Sequence, residues 1–430
     1  MTRRVSRKCK GICSFVLVVL LVFYIEVLSY IVNTQDWTPF PTRSPQQKEN
    51  GDDGPLRVLV VADPQIIGEN NELAFFGLFT RWDADRYLHR NFLLAQHHTQ
   101  PHVVAFLGDL FDEGYGATDA EYRRYTRRFR EVFQLPRKQD PSPIEYVFLP
   151  GDNDIGGEGV EPIDVVKLRW FNQTFGDFKK ELWVQRGSVS AQFVKLNLLL
   201  PEEYQNPTKG REHLLNGAQP DVRIILSHTS LVQFKTNAVQ TAFSLDTQIL
   251  DQLRPQLIFS AHSHHSAYTQ LEGSEMVKMT DKFLMAHKHP SRQWALEGVP
   301  FLGYTAKPKS EITADDTLQL QTSATITLQF DKGSRTVHEI TVPTCSYRMG
   351  TPHPGFGAFH LYKNGTLEYT VLWLPSRLNQ LYTYLGIYLI MKFSVIFWAL
   401  FKAASYIASQ VKNKTNFFIL SSGKNSYHKV

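Results

Sequence analysis

Several short apolar segments of the chain end in a residue that can bind a metal ion. Residues 56–62 read LRVLVVA and residues 103–107 read VVAFL, and an aspartate follows each within two positions. The residues at five such ends are Asp63, Asp109, Asp152, His228, and the pair His262 and His264. Carboxylates and imidazoles together suit Mn²⁺, Zn²⁺ or Fe. Two such ions about 3.5–4 Å apart can clamp a phosphate, so the pattern predicts a two-metal site.

Each of these residues has an ordinary explanation when it is taken alone. An aspartate after a strand often caps a turn, and a histidine there often belongs to the core. His-x-His places two imidazoles on one side of a strand, which is also a weak signal by itself. The recurrence at five successive strand ends favours the metal site, because ligands gather at the carboxyl ends of strands in open α/β sheets.

The strands must lie in covered sheets, since their apolar runs are nearly continuous. A helix is expected over residues 119–133, with Thr118 or Asp119 as its N-cap. A hairpin is expected from 358–362 and 367–374, which flank Asn364-Gly365. Residues 276–322 show no periodicity and receive no assignment.

The fold class that follows is α/β: two packed mixed β-sheets flanked by helices, in four αββα layers. We expect the elements up to about His228 to form one half. The strands from Leu257 onward would form the other half, and the late hairpin would complete the second sheet.

The charge of the chain lies in its tails. The formal net charge is +5, but residues 1–10 and 402–430 each carry five basic residues and no acidic one. The rest has 36 basic against 41 acidic residues, which argues against a body that binds nucleic acid. Only 3 cysteines are present, which excludes a disulfide scaffold.

Two apolar segments bracket the body. Residues 12–32 follow the basic N-terminus and are long enough to cross a bilayer. Their length favours an uncleaved signal anchor over a cleaved signal peptide. Residues 381–401 form a second candidate span despite the central Lys392. The alternative there is a buried amphipathic helix.

The positive-inside rule then gives one topology, with both termini cytosolic and the body luminal. Asn172 and Asn364 begin Asn-x-Thr triplets and are candidate glycosylation sites in a luminal body. The predicted divisions are a basic tail 1–11, a signal anchor 12–32, a linker 33–55, a catalytic domain 56–378, a transmembrane helix 381–401 and a basic tail 402–430.

The order of these motifs resembles the calcineurin-like metallophosphoesterase superfamily, whose pattern is D-x-H, G-D-x-x-D, G-N-H-D/E, H and G-H-x-H. The corresponding segments here are Asp63-Pro-Gln65, Gly108-Asp109-Leu-Phe-Asp112, Gly151-Asp152-Asn153-Asp154, His228 and Ala261-His262-Ser-His264. The stretches VADPQIIGE and FLGDLFDEG, and residues 339–348, resemble its membrane-anchored branch. That branch includes a phosphodiesterase that removes ethanolamine phosphate from GPI anchors.

The resemblance implies a role for each matched residue. The first metal ion would be bound by Asp63, Gln65 and His264, the second by Asp152, His228 and His262, and both by the bridging Asp109. Asp112 would support a ligand, and Arg348 would contact phosphate, although an ordinary surface ion pair also explains Arg348. The attacking group would be a hydroxide between the ions, most often Mn²⁺, with Zn²⁺ or Fe as alternatives. The substrate would be a GPI glycolipid or GPI-anchored protein on the route from the endoplasmic reticulum to the Golgi.

The chain departs from the family pattern at three positions. Gln65 replaces a histidine, and its amide oxygen is a weaker ligand. Ala261 replaces a glycine, which restricts the backbone. Asn153 occupies the position of the family's catalytic histidine and cannot donate a proton as a general acid. The loss of a general acid typically lowers rates by about 10²–10⁴-fold. His98, His265 and His353 are substitutes by residue type alone.

Three functions remain open from the sequence. The first is a luminal phosphodiesterase acting on a glycolipid that bears phosphoethanolamine. The second is a catalytically impaired relative that binds phosphorylated glycolipid or cargo, which Asn153 motivates. The third is a membrane-associated phosphatase that acts on another lipid or on protein phosphate.

Overall fold

A computed structural model gives the fold of the chain. Together its described residues are 16–37, 54–72, 75–137, 140–158, 161–187, 189–201, 206, 208–209, 211, 214, 219–237, 240–245, 247–272, 275–280, 325–330, 336–351 and 353–424. Most of the predicted linker 33–55 and of the unassigned stretch 276–322 lies outside these residues.

The first sheet is built around the first strand of the body. It has six strands in the described residues, in the order β12-β15-β14-β1-β2-β3. β1 runs parallel to β2 with Val58 opposite Val103, and antiparallel to β14 with Val58 opposite Phe359. The strands are β1 (Leu56–Val61), β2 (Val103–Phe106), β3 (Glu145–Phe148), β12 (Thr325–Gln329), β14 (Gly355–Leu361) and β15 (Thr366–Trp373).

The second sheet has seven strands in the described residues, in the order β11-β10-β13-β9-β6-β5-β4. Its centre is parallel, because β5, β6, β9 and β13 pair in that sense. The strands are β4 (Leu182–Arg186), β5 (Val189–Leu196), β6 (Val222–Ser227), β9 (Leu257–Ser260), β10 (Ala267–Glu272), β11 (Glu275–Thr280) and β13 (Thr336–Thr341). A separate hairpin joins β7 (Val232–Asn237) to β8 (Gln240–Leu245).

The two sheets pack face to face over a shared core. Phe259 of β9 stacks on Phe359 of β14 with ring centroids 5.1 Å apart, and both side chains are buried. Tyr369 of β15 packs against the same Phe259 at 5.8 Å. Each such buried aromatic or aliphatic side chain contributes about 1.5–3 kcal/mol of transfer free energy. The predicted fold class, two mixed sheets flanked by helices, is confirmed.

The expected division of strands between the sheets was wrong. The hairpin β14–β15 joins β1 in the first sheet, whereas β5 and β6, which precede Leu257, belong to the second. An apolar strand pattern identifies which residues are buried but not which strand pairs with which. Pairing depends on which strand edges meet in the folded chain. Here β1 and β14 form five antiparallel residue pairs.

Helices cover the outer faces of both sheets. The capping box at Thr118, whose hydroxyl accepts from Glu121 N while Glu121 Oε2 accepts from Thr118 N, confirms Thr118 as an N-cap. The helices of the body are α2 (Gly77–Thr99), α3 (Asp119–Val132), α4 (Asp152–Ile155), α5 (Val165–Phe175) and α6 (Thr247–Leu253).

Two further helices are long and apolar enough to cross a membrane. α1 (Val16–Gln35) has a mean hydropathy of 2.3 and contains a π-helical turn at Tyr24–Leu28. α7 (Arg377–Lys424) has a stretch Arg377–Val411 with a mean hydropathy of 1.8. α1 belongs to the compact unit that ends at Pro375, and α7 to a second unit from Ser376 onward.

A buried histidine makes the body sensitive to acid. His338 lies between the sheets, where its Nδ1 is 2.9 Å from Tyr268 Oη, and burial lowers its pKa to about 4. Below pH 6.5, His338 binds a proton in the unfolded chain, whereas in the folded chain it stays neutral until the pH approaches 4. The free energy of unfolding therefore falls as the pH drops from 6.5 towards 4, by about 2 kcal/mol at pH 5.

We predict that His338→Gln reduces this pH dependence, because glutamine does not titrate. The measurement is thermal unfolding of the full-length chain in detergent at pH 7.5, 6.0 and 5.0. His97→Gln, at an exposed position of α2, is the control and should follow the wild-type profile. An unchanged profile in His338→Gln would contradict the prediction.

Candidate metal centre

The strand ends of both sheets meet at one buried site. β1, β2 and β3 run parallel in the first sheet, and Asp63, Asp109 and Asp152 follow their carboxyl ends. β6 and β9 run parallel in the second sheet, and they are followed by His228 and His262. Ligand atoms lie within 4.8 Å of one another in two groups. The groups are Asp63, Asp109 and His228, and Asp152, His228 and His262.

His228 is the residue common to both groups. Its Nε2 lies 2.8 Å from Asp152 Oδ1 and 3.5 Å from Asp109 Oδ1. Its Nδ1 lies 2.8 Å from the carbonyl oxygen of Leu107. A proton on Nδ1 donates to that carbonyl, which leaves Nε2 as the nitrogen that can bind a metal ion. A backbone partner of this kind commonly fixes the tautomer of a metal-binding histidine.

Asp109 lies at the centre of the site and accepts three hydrogen bonds. Its Oδ1 accepts from the backbone N–H of Asn153 at 3.0 Å. Its Oδ2 accepts from the amide nitrogens of Asn153 at 2.9 Å and Gln65 at 3.0 Å. These three donors hold the Asp109 carboxylate in the group that also contains Asp63 and His228.

Two buried oxygens fit a cation and have no hydrogen-bond donor. Asp63 Oδ2 and Gln65 Oε1 are both inaccessible to solvent and without a hydrogen-bond partner. Unsatisfied buried acceptors cost free energy unless an ion or another donor meets them. Because three carboxylates and two imidazoles surround the same volume, the donor set fits divalent ions.

The pKa values of the site residues are shifted because several acidic side chains are buried close together. Burial raises the pKa of Asp63 to about 7 and also raises the pKa of Asp109. Burial opposes the charge of Asp152 too, but hydrogen bonds from His228 and His262 hold its pKa far below the usual range. Burial acts against the charge of His228, yet Asp109 and Asp152 raise its pKa to about 10. A bound cation would replace this shared proton charge.

Five of the predicted ligands have a left-handed backbone. Non-glycine residues rarely adopt φ near +50°, and such residues cluster at functional sites. The five are Asp63, Gln65, Asp109, His262 and His264, with φ between 44° and 63°. Each of these turns lies two to four residues after the end of a strand. Sequence reasoning missed this feature, because only glycine and asparagine signal such turns reliably.

Asp154 connects the turns that follow β2 and β3. Its buried carboxylate accepts from the backbone N–H groups of Leu110, Phe111 and Gly151 at 3.0–3.1 Å. Burial raises the pKa of Asp154 to about 7. Asp154 thus ties the turn after β2 to the turn after β3, a positioning role that its place in the motif did not reveal.

The segment after β13 holds the turn after β1. Thr344 Oγ1 donates to the carbonyl oxygen of Asp63 at 2.8 Å, and Cys345 N donates to Ala62 O at 3.0 Å. Glu339 Oε1 accepts from Ser260 Oγ at 2.8 Å, just before the His262 turn. Residues 339–348 therefore support the turns that carry Asp63 and His262.

The remaining predicted residues lie around the site. His264 is half-buried and belongs to neither three-residue group, and burial lowers its pKa to about 4. Asp112 is half-buried, and burial raises its pKa to about 6, with Arg348 acting in the opposite direction. Arg348 is exposed and forms an ion pair with Glu72. Its predicted contact with phosphate stays a prediction, as do the ligand roles above.

Glu158 was not singled out from the sequence. One of its carboxylate oxygens lies 3.7 Å from His262 Nε2, although the side chain is largely exposed. The two glycosylation candidates lie on different elements of the fold. Asn172 is half-buried within α5, and Asn364 is exposed in the β14–β15 turn. Glycosylation at either stays a prediction.

The fold and the site together define a metal-dependent phosphoesterase type of domain, with carboxylates and imidazoles converging from two sheets. Residues 56–266 match the sequence model of the family described as calcineurin-like phosphoesterase. The chain therefore carries a calcineurin-like metallophosphoesterase domain, as the motifs predicted.

Two other proteins are similar to this chain over more residues than that domain. Cell division control protein 1 of Saccharomyces cerevisiae is 26% identical over 321 residues, which cover 72% of this chain and 56% of the yeast protein. Metallophosphoesterase 1 of Ailuropoda melanoleuca is 24% identical over 308 residues, which cover 61% of this chain and 74% of that protein. The chain thus matches just over half the length of the yeast relative. A purple acid phosphatase from yellow lupin seeds has 12% identity and a TM-score of 0.34, over 54% of this chain and 40% of that structure.

We predict that Gly108→Ala weakens metal binding without removing a ligand. Gly108 has φ of +101°, and a Cβ there would lie 2.5 Å from His228 Nδ1 and 2.9 Å from Gly151 N. The added methyl group must displace His228, so Mn²⁺ affinity should fall by about tenfold or more, in line with losses on disturbing the surroundings of metal ligands.

The measurement is titration calorimetry of the full-length chain with Mn²⁺. Gly116→Ala is the matched control, because a Cβ at Gly116 meets nothing within 4 Å. Equal affinities in Gly108→Ala and Gly116→Ala would show that His228 is not a ligand in the way proposed.

Proposed function

We propose that the protein is a membrane-anchored phosphodiesterase that removes ethanolamine phosphate from GPI-anchor glycans. The observation that carries the proposal is the convergence of Asp63, Asp109, Asp152, His228 and His262 at one buried site. The calcineurin-like domain supports phosphoester chemistry. The likeness to metallophosphoesterase 1 over 308 residues, together with the two apolar helices, supports the membrane-anchored branch.

The residues of the chain divide the work at the site. Asp63, Gln65 and His264 hold the first ion, Asp152, His228 and His262 hold the second, and Asp109 lies between them. Mn²⁺ is the first choice of ion, with Zn²⁺ and Fe as alternatives. When bound, the pair of ions supplies an activated water nucleophile and neutralises charge on the phosphate. Arg348 contacts the phosphate or the headgroup from the rim, and Glu72 orients its guanidinium.

The anchoring helices set the compartment of the proposed reaction. α1 and α7 cross the membrane, and both basic tails face the cytosol in accordance with the positive-inside rule. The catalytic body is then luminal, where Asn172 and Asn364 meet the glycosylation machinery. Residence between the endoplasmic reticulum and the Golgi follows from the substrate, since GPI-anchored proteins are remodelled on that route.

A second candidate function rests on Asn153. Its side-chain amide donates to Asp109 Oδ2 and its backbone N–H to Asp109 Oδ1. A residue engaged with the central carboxylate offers no proton to a leaving group. The alternative is therefore a catalytically impaired relative that keeps its metal ions and binds phosphorylated glycolipid or cargo.

The decisive assay is hydrolysis of bis-(p-nitrophenyl) phosphate by the full-length chain with Mn²⁺. Nitrophenolate leaves without protonation, so this assay reports on the metal-bound site even if no general acid is present. We expect Mn²⁺-dependent turnover that Asp109→Asn reduces by about 10²-fold or more, because the bridging charge is lost. Asp119→Asn, at an exposed position of α3, should retain wild-type turnover. A folded, metal-loaded wild type without turnover would favour the binding function.

Replacement of Asn153 separates the two candidates. We expect Asn153→His to lower the turnover by about tenfold, because the imidazole cannot reproduce both amide contacts to Asp109. The measurement compares the nitrophenyl diester with an alkyl phosphoethanolamine diester, whose leaving group needs a proton. A large gain on the alkyl diester alone would instead show that the natural chain lacks an acid, in favour of impairment.

A further inference from the structure

The start of α2 and the two residues before it carry a cluster of exposed apolar side chains. Phe75, Phe76, Leu78, Phe79 and Trp82 are 87%, 56%, 72%, 58% and 54% exposed. We call these five residues the aromatic patch. Contiguous exposed apolar surface of this kind marks a site that meets a partner or a membrane.

The aromatic patch continues a stripe that already binds α1. Within α2, Phe79 and Trp82 are followed at helical spacing by Arg86 and Arg90, so these four residues lie on one face of the helix. Arg86 lies 2.6 Å from Glu26 of α1, and its guanidinium stacks 5.2 Å from the Trp82 ring centroid. One arginine therefore joins the aromatic patch to the candidate transmembrane helix.

Three sets of contacts show that α1 and α2 run parallel. Glu26 meets Arg86, and Tyr30 packs on Tyr87 with ring centroids 6.3 Å apart. Farther along, Trp37 packs on His98 at 5.3 Å. Positions rise together along both helices, so the two amino-terminal halves extend in the same direction from the Glu26–Arg86 pair.

The parallel arrangement places the aromatic patch at the depth of the apolar half of α1. At 1.5 Å per residue, Val16 lies about 15 Å before Glu26, and Gly77, the first residue of α2, lies about 14 Å before Arg86. The side chains of α1 over this stretch are largely exposed and apolar, including Leu17 at 66% and Leu20 at 57%. A membrane that surrounds this half of α1 reaches the aromatic patch as well.

We propose that the aromatic patch inserts into the membrane that α1 crosses. The proposal rests on the proposed function only in that α1 is a membrane span. Phe and Trp suit the boundary between headgroups and acyl chains. Arg81 and Arg86 at its edge can extend their charged ends to lipid phosphates.

Insertion would hold the metal centre against the lipid headgroups. The loop after β1 carries Asp63 and Gln65 and leads directly into α2. Glu72 accepts from Thr80 Oγ1 at 3.2 Å, and Arg81 donates to Gly68 O at 3.4 Å. The same loop thus bears metal ligands at one end and joins the aromatic patch at the other, which restricts the substrate to phosphoesters at the membrane surface.

The test places nitroxide labels on the full-length chain in phosphatidylcholine vesicles. Phe79→Cys and Leu78→Cys are labelled in a Cys9→Ser, Cys13→Ser background, in which Cys345 is buried. Trp183→Cys is the matched control, because Trp183 is an exposed aromatic residue at 46% on β4 of the second sheet. Collision rates with oxygen, which partitions into lipid, are compared with those of a water-soluble nickel chelate.

Insertion predicts that the ratio of oxygen to nickel collisions is at least about threefold higher at 78 and 79 than at 183. A ratio equal to that of position 183 would overturn the proposal in favour of a patch in water. Low collision rates with both reagents would also overturn it, because protein rather than lipid would then cover the patch. The readout does not involve hydrolysis, so a failed activity assay leaves it intact.

Discussion

The structure depends on the burial of three carboxylates around one imidazole. Asp63, Asp109 and Asp152 are at most 6% exposed, and His228, at 1%, meets all three. Carboxylates this close cannot all be charged without a cation, since water is excluded and like charges repel. Burial raises the pKa of Asp63, and Asp109 and Asp152 raise the pKa of His228 although burial opposes its charge. Both sheets contribute to the cluster, so the packing of the core and the geometry of the site are one constraint.

That constraint is transmitted through the backbone rather than through the side chains alone. Left-handed residues cost about 1–3 kcal/mol each and persist only where the surroundings fix them. Asp154 binds three backbone N–H groups in the turns after β2 and β3, and Thr344 binds the carbonyl of Asp63. Removal of such a support would loosen several ligands at once, even though neither residue belongs to the ligand set.

The same reasoning explains the one acidic residue in the first apolar segment. A lone carboxylate in a membrane span is costly, but Glu26 forms ion pairs with Arg86 and Arg90 of α2. Asn33 and Trp37 also donate to Trp373 O, at 2.6 Å and 2.8 Å. α1 is therefore a packed element of the body as well as a candidate span. Removal of α1 would break these contacts, so experiments need the full-length protein.

The sequence predicted the strand ends, the candidate metal ligands Asp63, Asp109, Asp152, His228 and His262, and the fold class, because burial and side-chain chemistry are local properties of the residues. It also predicted the Thr118 cap and the hairpin at Asn364-Gly365, since capping and turn formation need only neighbouring residues. Only the folded chain shows that β14 and β15 join β1 and that Asn153 binds Asp109. Each of these depends on contacts between segments 44 or more residues apart, and no local pattern encodes the distance between two atoms that only the folded chain brings together.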